Sequence, residues 1–340
     1  MIHHSVRSIL VSILVSMLGF VALNAAAGEE TMPLGLVPVD HPASNPLTDA
    51  KRLLGEKLFF DKILSSDGSI SCATCHKPDE AFAERTVARS KGVGGKIGRR
   101  NTPSLLNVAF AKKLFFDGRS ATLEDQAWEP ILAEHEMGNV AEKDVLERLR
   151  NSEEYRGFFK RAFGINEPNK EAVAKALACF QRTLLSGNSA FDRWNAGAPA
   201  LGKEAHDGYQ LFIGRAQCWQ CHPLNSESAL LMTDHSFHNT GVTVRKAADG
   251  TAVDLGRMEV TKERIDRLLF KTPSLRNVAL TPPYMHDGSI ATLKEVVEFY
   301  NRAESPGELL PLHLNEAEVD ALVAFLKSFT GEPSSVSTED

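Results

Sequence analysis

Beyond residue 27 the chain has no apolar stretch long enough to cross a bilayer, which takes roughly 20 helical residues, so nothing after its first segment reads as a membrane span. It has no excess of positive charge: 38 Lys and Arg stand against 44 Asp and Glu, a formal net charge of −6, which excludes the electrostatics of a nucleic-acid binder. Strand patterning is scarce. Cysteine is sparse, with five in 340 residues, and four of the five are committed to two short motifs, so a disulfide framework is not expected either.

What is present starts with an address. Met1, His3, His4 and Arg7 precede a run from Ile9 to Ala27 that carries no charge and closes on Ala25, Ala26 and Ala27. That order predicts a secretory signal peptide cleaved after Ala27, with a retained membrane anchor as the alternative. Losing residues 1–27 removes only Arg7 among the charged side chains and takes the net charge from −6 to −7. The remaining chain of about 310 residues exceeds what one hydrophobic core usually spans and predicts two domains.

The two motifs are Cys72-Ala-Thr-Cys75-His76 and Cys218-Trp-Gln-Cys221-His222. In Cys-x-x-Cys-His, two thiols add to the vinyl groups of one haem while the following histidine reaches the iron, so the short spacing is imposed by the porphyrin. Zinc is the competing reading, but a structural zinc needs a fourth ligand and a histidine further downstream. Cys179 lies in the apolar helical pattern Ala174–Leu185 and reads as a small core residue.

The motifs lie 146 residues apart, and a second correspondence supports duplication. Thr102-Pro-Ser-Leu-Leu-Asn-Val-Ala109 is matched by Thr272-Pro-Ser-Leu-Arg-Asn-Val-Ala279. Asp117-Gly118 and Ala121-Thr-Leu123 are matched by Asp287-Gly288 and Ala291-Thr-Leu293, all at an offset of 170. Helical periodicity appears at residues 49–60, 143–163, 170–185, 203–212, 293–301 and 316–329, with Thr48, Thr292 and Asn315 as N-caps. The expected fold is therefore all-α: two cytochrome c-like haem domains from an internal duplication, with few or no strands. The expected layout is a signal peptide at 1–27, an N-terminal arm at 28–46, haem domains at 47–190 and 191–330, and a disordered tail at 331–340. The division between the domains is expected within Gly187–Leu201, on its Gly, Asn and Pro content.

The paired motifs, the Thr-Pro-Ser-Leu-x-Asn-Val-Ala segments and Pro283-Tyr-Met-His-Asp-Gly-Ser289 resemble the bacterial di-haem cytochrome c peroxidase family, including its MauG branch, from about Leu47 to Thr330. The resemblance implies two haem c groups, hydrogen peroxide as oxidant, one reacting haem and one that passes in electrons. It makes His76 and His222 the proximal ligands. Ordinary members carry a second histidine roughly sixteen residues after the first proximal one, but residues 77–134 contain none, which implies an open first haem, with His135 as the rival ligand. Gln126 and Glu136 match the peroxide pocket, Glu136 as general acid and base and Gln126 as hydrogen-bond donor. Tyr300 stands where ordinary members carry a methionine ligand to the second haem, as in the MauG branch; Met258, Met285 and His286 compete for that role. A phenolate there lowers the reduction potential relative to a thioether.

Two departures limit the resemblance. Phe116 replaces the tryptophan that the family commonly has between its haems, leaving Trp128 and Trp219 as the other indoles for electron transfer, each equally readable as packing. Ala216, two residues before Cys218, offers no surface aromatic of the kind the MauG branch uses. A calcium ion is also implied, held by Asn101, Thr281 and Pro283. The leading expectation is a periplasmic peroxidase, monomer or homodimer, fed by a small c-type cytochrome or a cupredoxin. The alternatives are a MauG-like oxidase that modifies tryptophan or tyrosine of a partner protein, and a non-enzymatic two-haem electron carrier.

Overall fold

Thr48 begins the first helix because its extended backbone turns the hydroxyl to accept from the Lys51 N–H at 3.3 Å, satisfying one orphan donor of α1 (Asp49–Phe60). The computed structural model describes residues 32–199, 201–224, 230–242, 253–303 and 307–333. The expected signal peptide, residues 28–31 of the arm and residues 334–340 of the tail lie outside the described residues.

The other helices follow in chain order: α2 (Cys72–Cys75), α3 (Leu123–Gln126), α4 (Trp128–Leu132), α5 (Glu142–Asn151), α6 (Glu153–Phe163), α7 (Lys170–Arg182), α8 (Ala190–Asn195), α9 (Lys203–Ile213), α10 (Met258–Thr261), α11 (Leu293–Arg302) and α12 (Glu316–Lys327). The single helix expected over 143–163 is two. Ser152 is extended, closes α5 by donating its N–H to Leu149 O, and caps α6 by accepting from the Tyr155 N–H. Thr292 and Asn315 each form a capping box, with Glu295 and Glu318 reaching back to the cap N–H groups. The strands described are two-residue pieces: β1 (Ser186–Gly187) pairs antiparallel with β4 (Glu332–Pro333), and β2 (Phe237–His238) with β3 (Phe270–Lys271). The protein is all-α in class.

The duplication shows in the helix crossings. A Cβ on Gly55 of α1 would fall 1.9 Å from the Ala176 oxygen of α7, and one on Gly208 of α9 would fall 2.0 Å from the Ala321 oxygen of α12. Each pair thus crosses at backbone contact, where only glycine fits. Around the first crossing lies a core that includes Leu54, Phe59, Ile131, Phe159 and Phe180; around the second lies one that includes Phe191, Phe212, Val297, Phe325 and Phe329.

The stretch where the division between domains was expected, Gly187–Leu201, begins in regular structure: Ser186–Gly187 is a strand and Ser189 caps α8 in a box with Asp192. The tail does not begin at residue 331: Gly331 N–H donates to Asn277 Oδ1 at 2.9 Å and Glu332–Pro333 pairs with β1, which satisfies these backbone groups. Residues from Met32 onward form one compact unit that contains both cores.

Candidate functional site

Ser71 starts α2, and the four-residue helix delivers Cys72 and Cys75 one turn apart, with the His76 N–H closing on Cys72 O at 2.9 Å. The second motif repeats the turn in 3-10 form: Gln217 is left-handed at φ 52°, Cys218–Gln220 follows, and the His222 N–H donates to Cys218 O at 3.0 Å. Both histidines are oriented alike. His76 Nδ1 lies 3.0 Å from Phe82 O and His222 Nδ1 lies 2.7 Å from Met232 O, and both carbonyls belong to residues with positive φ, 54° and 47°. A carbonyl accepts only from Nδ1–H, so the tautomer is set and Nε2 keeps its lone pair for a metal. Burial also pushes both imidazoles below their usual range, against the opposing backbone hydrogen bonds, which keeps them neutral.

Both motifs face one cavity of about 1070 Å³, at the upper end of ligand-pocket sizes of about 300–1,000 Å³. Burial raises the free thiols of Cys72 and Cys218 to about 12 and of Cys75 and Cys221 to about 11. With no metal bound they are therefore un-ionised at neutral pH. Among the described residues, the one cluster with metal-like spacing is Cys221, Asp234 and His238. In that cluster His238 Nε2 lies 2.8 Å from Asp234 and its Nδ1 3.0 Å from Glu308, so the imidazole is held between two carboxylates. The cavity wall also holds buried polar atoms without protein partners, His286 Nε2 and Gln181 Oε1, as expected where a polar-edged prosthetic group and its waters complete the bonding. The residues present fit two haem groups.

On the far side of the first motif, Thr122 caps α3, which carries Gln126 to the cavity. After α4 the chain turns and brings Glu136 to the same wall. Gly92 braces that turn, since a Cβ there would lie 2.3 Å from His135 O and 2.5 Å from Glu136 O, and the Val93 N–H donates to Glu136 O at 2.9 Å. Burial raises the Glu136 carboxyl above its ordinary range; the Arg119 charge opposes this and the Glu129 charge adds to it. His135 lines the cavity too, with its Nε2 3.9 Å from Glu136 Oε1, so the structure brings the rival ligand to the same wall. Arg119 gave no signal by residue type. It follows the repeated Asp117-Gly118, where the second copy has Ser289, and its guanidinium stacks 3.4 Å over Phe115 while pairing with Asp117 and Glu129.

At the second motif, α11 turns Tyr300 into the cavity, where burial raises its phenol and the nearby Cys218 and Cys221 add to the effect. Met285 and His286 also reach the cavity, whereas Met258 on α10 is not among its lining residues. His286 stacks on Phe270 at 3.7 Å and 13°. Asn101, Thr281 and Pro283 line the same cavity; Asn101 Nδ2 donates to Ala88 O, and the Thr281 hydroxyl donates to Val278 O. Phe116 lines the cavity between the halves, and its carbonyl accepts from the Lys271 N–H at 2.7 Å. Trp128 is buried and donates to Lys170 O, while Trp219, inside the second motif, is 47% exposed.

Residues 49–200 match the family model described as di-haem cytochrome c peroxidase, and residues 205–330 match cytochrome c. The methylamine utilization protein MauG of Methylorubrum extorquens is 41% identical over 307 residues, covering 88% of this chain and 83% of its own. The chain belongs to the di-haem cytochrome c peroxidase family. The cytochrome c551 peroxidase of Nitrosomonas europaea, a second relative in this family, is 34% identical over 96% of this chain and 92% of its own. A crystal structure of a MauG-like protein associated with microbial copper homeostasis superposes with a TM-score of 0.78 at 31% identity, covering 89% of this chain and 95% of that one. As a di-haem peroxidase family member the protein is an oxidoreductase with two cytochrome c domains, each of which implies a haem c. Among the described residues, no helix is long and apolar enough to cross a membrane.

Proposed function

We propose that this di-haem family member is a periplasmic peroxidase that reduces hydrogen peroxide to two waters at the first site, using two protons and two electrons from a small c-type cytochrome or a cupredoxin. The observation that carries the reading is that Gln126 and Glu136 line the cavity that also takes in Cys72, Cys75 and His76. Haem c bound to each cysteine pair supplies the redox chemistry, with His76 and His222 as proximal ligands. Glu136 takes the proton from one peroxide oxygen and returns a proton to the departing oxygen, and the Gln126 amide donates a hydrogen bond that holds the peroxide for that transfer. Such acid and base assistance is worth about 10² to 10⁴ in rate. Tyr300 would serve the second haem as an anionic ligand, and Asn101, Thr281 and Pro283 would hold a calcium ion, for which oxygen donors suit a hard cation.

Tyr300 also favours a second reading, a MauG-like oxidase that uses peroxide to modify tryptophan or tyrosine of a partner protein. Electron paramagnetic resonance of the oxidised protein tests both against an electron carrier. The expected spectrum has one high-spin and one low-spin ferric haem, both signals disappearing on one equivalent of peroxide without prior reduction. Two low-spin haems inert to peroxide would reject the open first site and leave a reductively activated peroxidase or the carrier. Turnover with a reduced small cytochrome separates the peroxidase from the protein-modifying oxidase.

A further inference from the structure

The duplicated helices allow the two haem pockets to be compared position by position within one chain. Gly55 packs on Ala176 and Phe180 of α7, and Gly208 packs on Ala321 and Phe325 of α12, so α7 and α12 are related by 145 residues. The same offset relates Leu184, whose oxygen accepts from the Asn107 N–H, to Phe329, whose oxygen accepts from the Asn277 N–H. By this register Leu177 corresponds to Leu322 and Gln181 to Leu326, and all four line the cavity. The first pocket therefore holds an amide where the second holds an isobutyl group. Leu326 is 8% exposed and belongs to the hydrophobic core. Gln181 is 6% exposed, and its Oε1 is buried without a partner.

An amide oxygen removed from water and left unbonded is unfavourable, and such groups are paired in folded proteins by protein or by ordered water. Nothing in the packing of α7 explains a glutamine there, since the equivalent turn of α12 closes with leucine. Its neighbours indicate what it serves. Leu123 of α3 packs with Ala178 of α7, and Gln126 and Gln181 each lie three residues further along their helices, on the side that reaches the cavity. The two glutamines thus approach the first pocket from adjacent helices.

We propose that Gln181 is a third polar residue of the first haem pocket, a positioning residue whose Oε1 accepts a hydrogen bond from a buried water that in turn donates to the ligand on the haem. This rests on the peroxide reading above and adds to it a specific difference between the two pockets, a wet first one and a dry second one. A buried water needs at least two polar partners, which Gln181 and the bound ligand supply.

The test uses the full haem-loaded protein and two apolar variants of similar size, Gln181→Leu and Gln181→Met. Fluoride bound to the ferric first haem accepts hydrogen bonds from the pocket, and the C–O stretch of the ferrous carbon monoxide adduct reads the same polarity. Both variants should lose fluoride affinity by about two- to tenfold, the range of one ordinary hydrogen bond, and shift the C–O stretch, with the low-spin signal of the second haem unchanged. Wild-type fluoride affinity and an unshifted C–O stretch in both folded variants would overturn the proposal and leave Gln181 a space-filling residue. Wild-type protein that binds neither probe would reject the open first site itself, and the proposal with it.

Discussion

Arg100 and Asp254, 154 residues apart, form a two-pronged ion pair, Nε to Oδ2 at 2.7 Å and the terminal nitrogen to Oδ1 at 2.8 Å. The remaining guanidinium nitrogen reaches Asp117 at 2.6 Å, so one cation ties a loop of the second half to the repeated Asp-Gly turn of the first, at the edge of the haem cavity. Arg257 returns the connection by donating to the Asp117 and Gly118 carbonyls.

The side chains of Arg100, Asp117 and Asp254 are 11%, 4% and 11% exposed, so removing the cation leaves two carboxylates with little water. Arg100→Ala should cost about 3–5 kcal/mol of unfolding free energy, read from urea titration. A loss below about 1 kcal/mol would mean that the network contributes no more than an exposed pair.

Glu136→Gln should slow the reaction with peroxide by about 10² to 10⁴ while leaving haem content unchanged. Because burial raises the Glu136 carboxyl, the wild-type rate should climb with pH through a window above the ordinary carboxylate range, as the base form appears. Glu129 adds to the upward shift, so Glu129→Gln should move that window down. Stopped-flow rates across pH decide it; a flat profile in wild type would remove Glu136 as the base.

Tyr300→Met should raise the reduction potential of the second haem, because a thioether favours the reduced iron where a phenolate favours the oxidised one. Potentiometric titration followed at the second haem is the check. An unchanged potential would show that Tyr300 is a packed aromatic and that Met285 or another group is the ligand.

His238 is held between Asp234 and Glu308; burial lowers its pKa, but the two carboxylates outweigh burial and the net shift is upward from 6.5. A histidine raised in the folded state adds stability that is fully present below its unfolded value and is lost as pH rises through the folded one. Thermal stability should therefore fall as pH rises above about 6.5, and His238→Gln should flatten that part of the profile. Identical profiles for the two proteins would dismiss the contribution.

The all-α class and the haem-attachment motifs were legible because they depend on local spacing. Cys-x-x-Cys-His needs five consecutive residues, and the capping boxes at Thr292 and Asn315 need four each. Local signals misled where long-range pairing competes. The apolar period over 143–163 continues through Ser152, yet that residue ends one helix and caps the next. Gly187 reads as part of a division and Gly331 as the start of a tail, but Asn107 bonds the backbone of Ser186 and Asn277 accepts from the Gly331 N–H, where β1 and β4 pair.

The cavity contents divide the same way. Cys72, Cys75, His76 and their counterparts are determined by sequence alone, since covalent chemistry dictates their spacing. Gln126, Glu136 and Tyr300 are separate positions along the chain until the fold brings them to one cavity, and only resemblance suggested them. The carbonyls of Phe82 and Met232 that set each histidine tautomer, the Arg119 charge near Glu136, and the unpaired oxygen of Gln181 carry no sequence signature. They depend on backbone direction and on burial, quantities that exist only after α1 has packed on α7 at Gly55 and α9 on α12 at Gly208. Sequence determined which residues can bind haem; tertiary packing decided which other side chains are buried beside them.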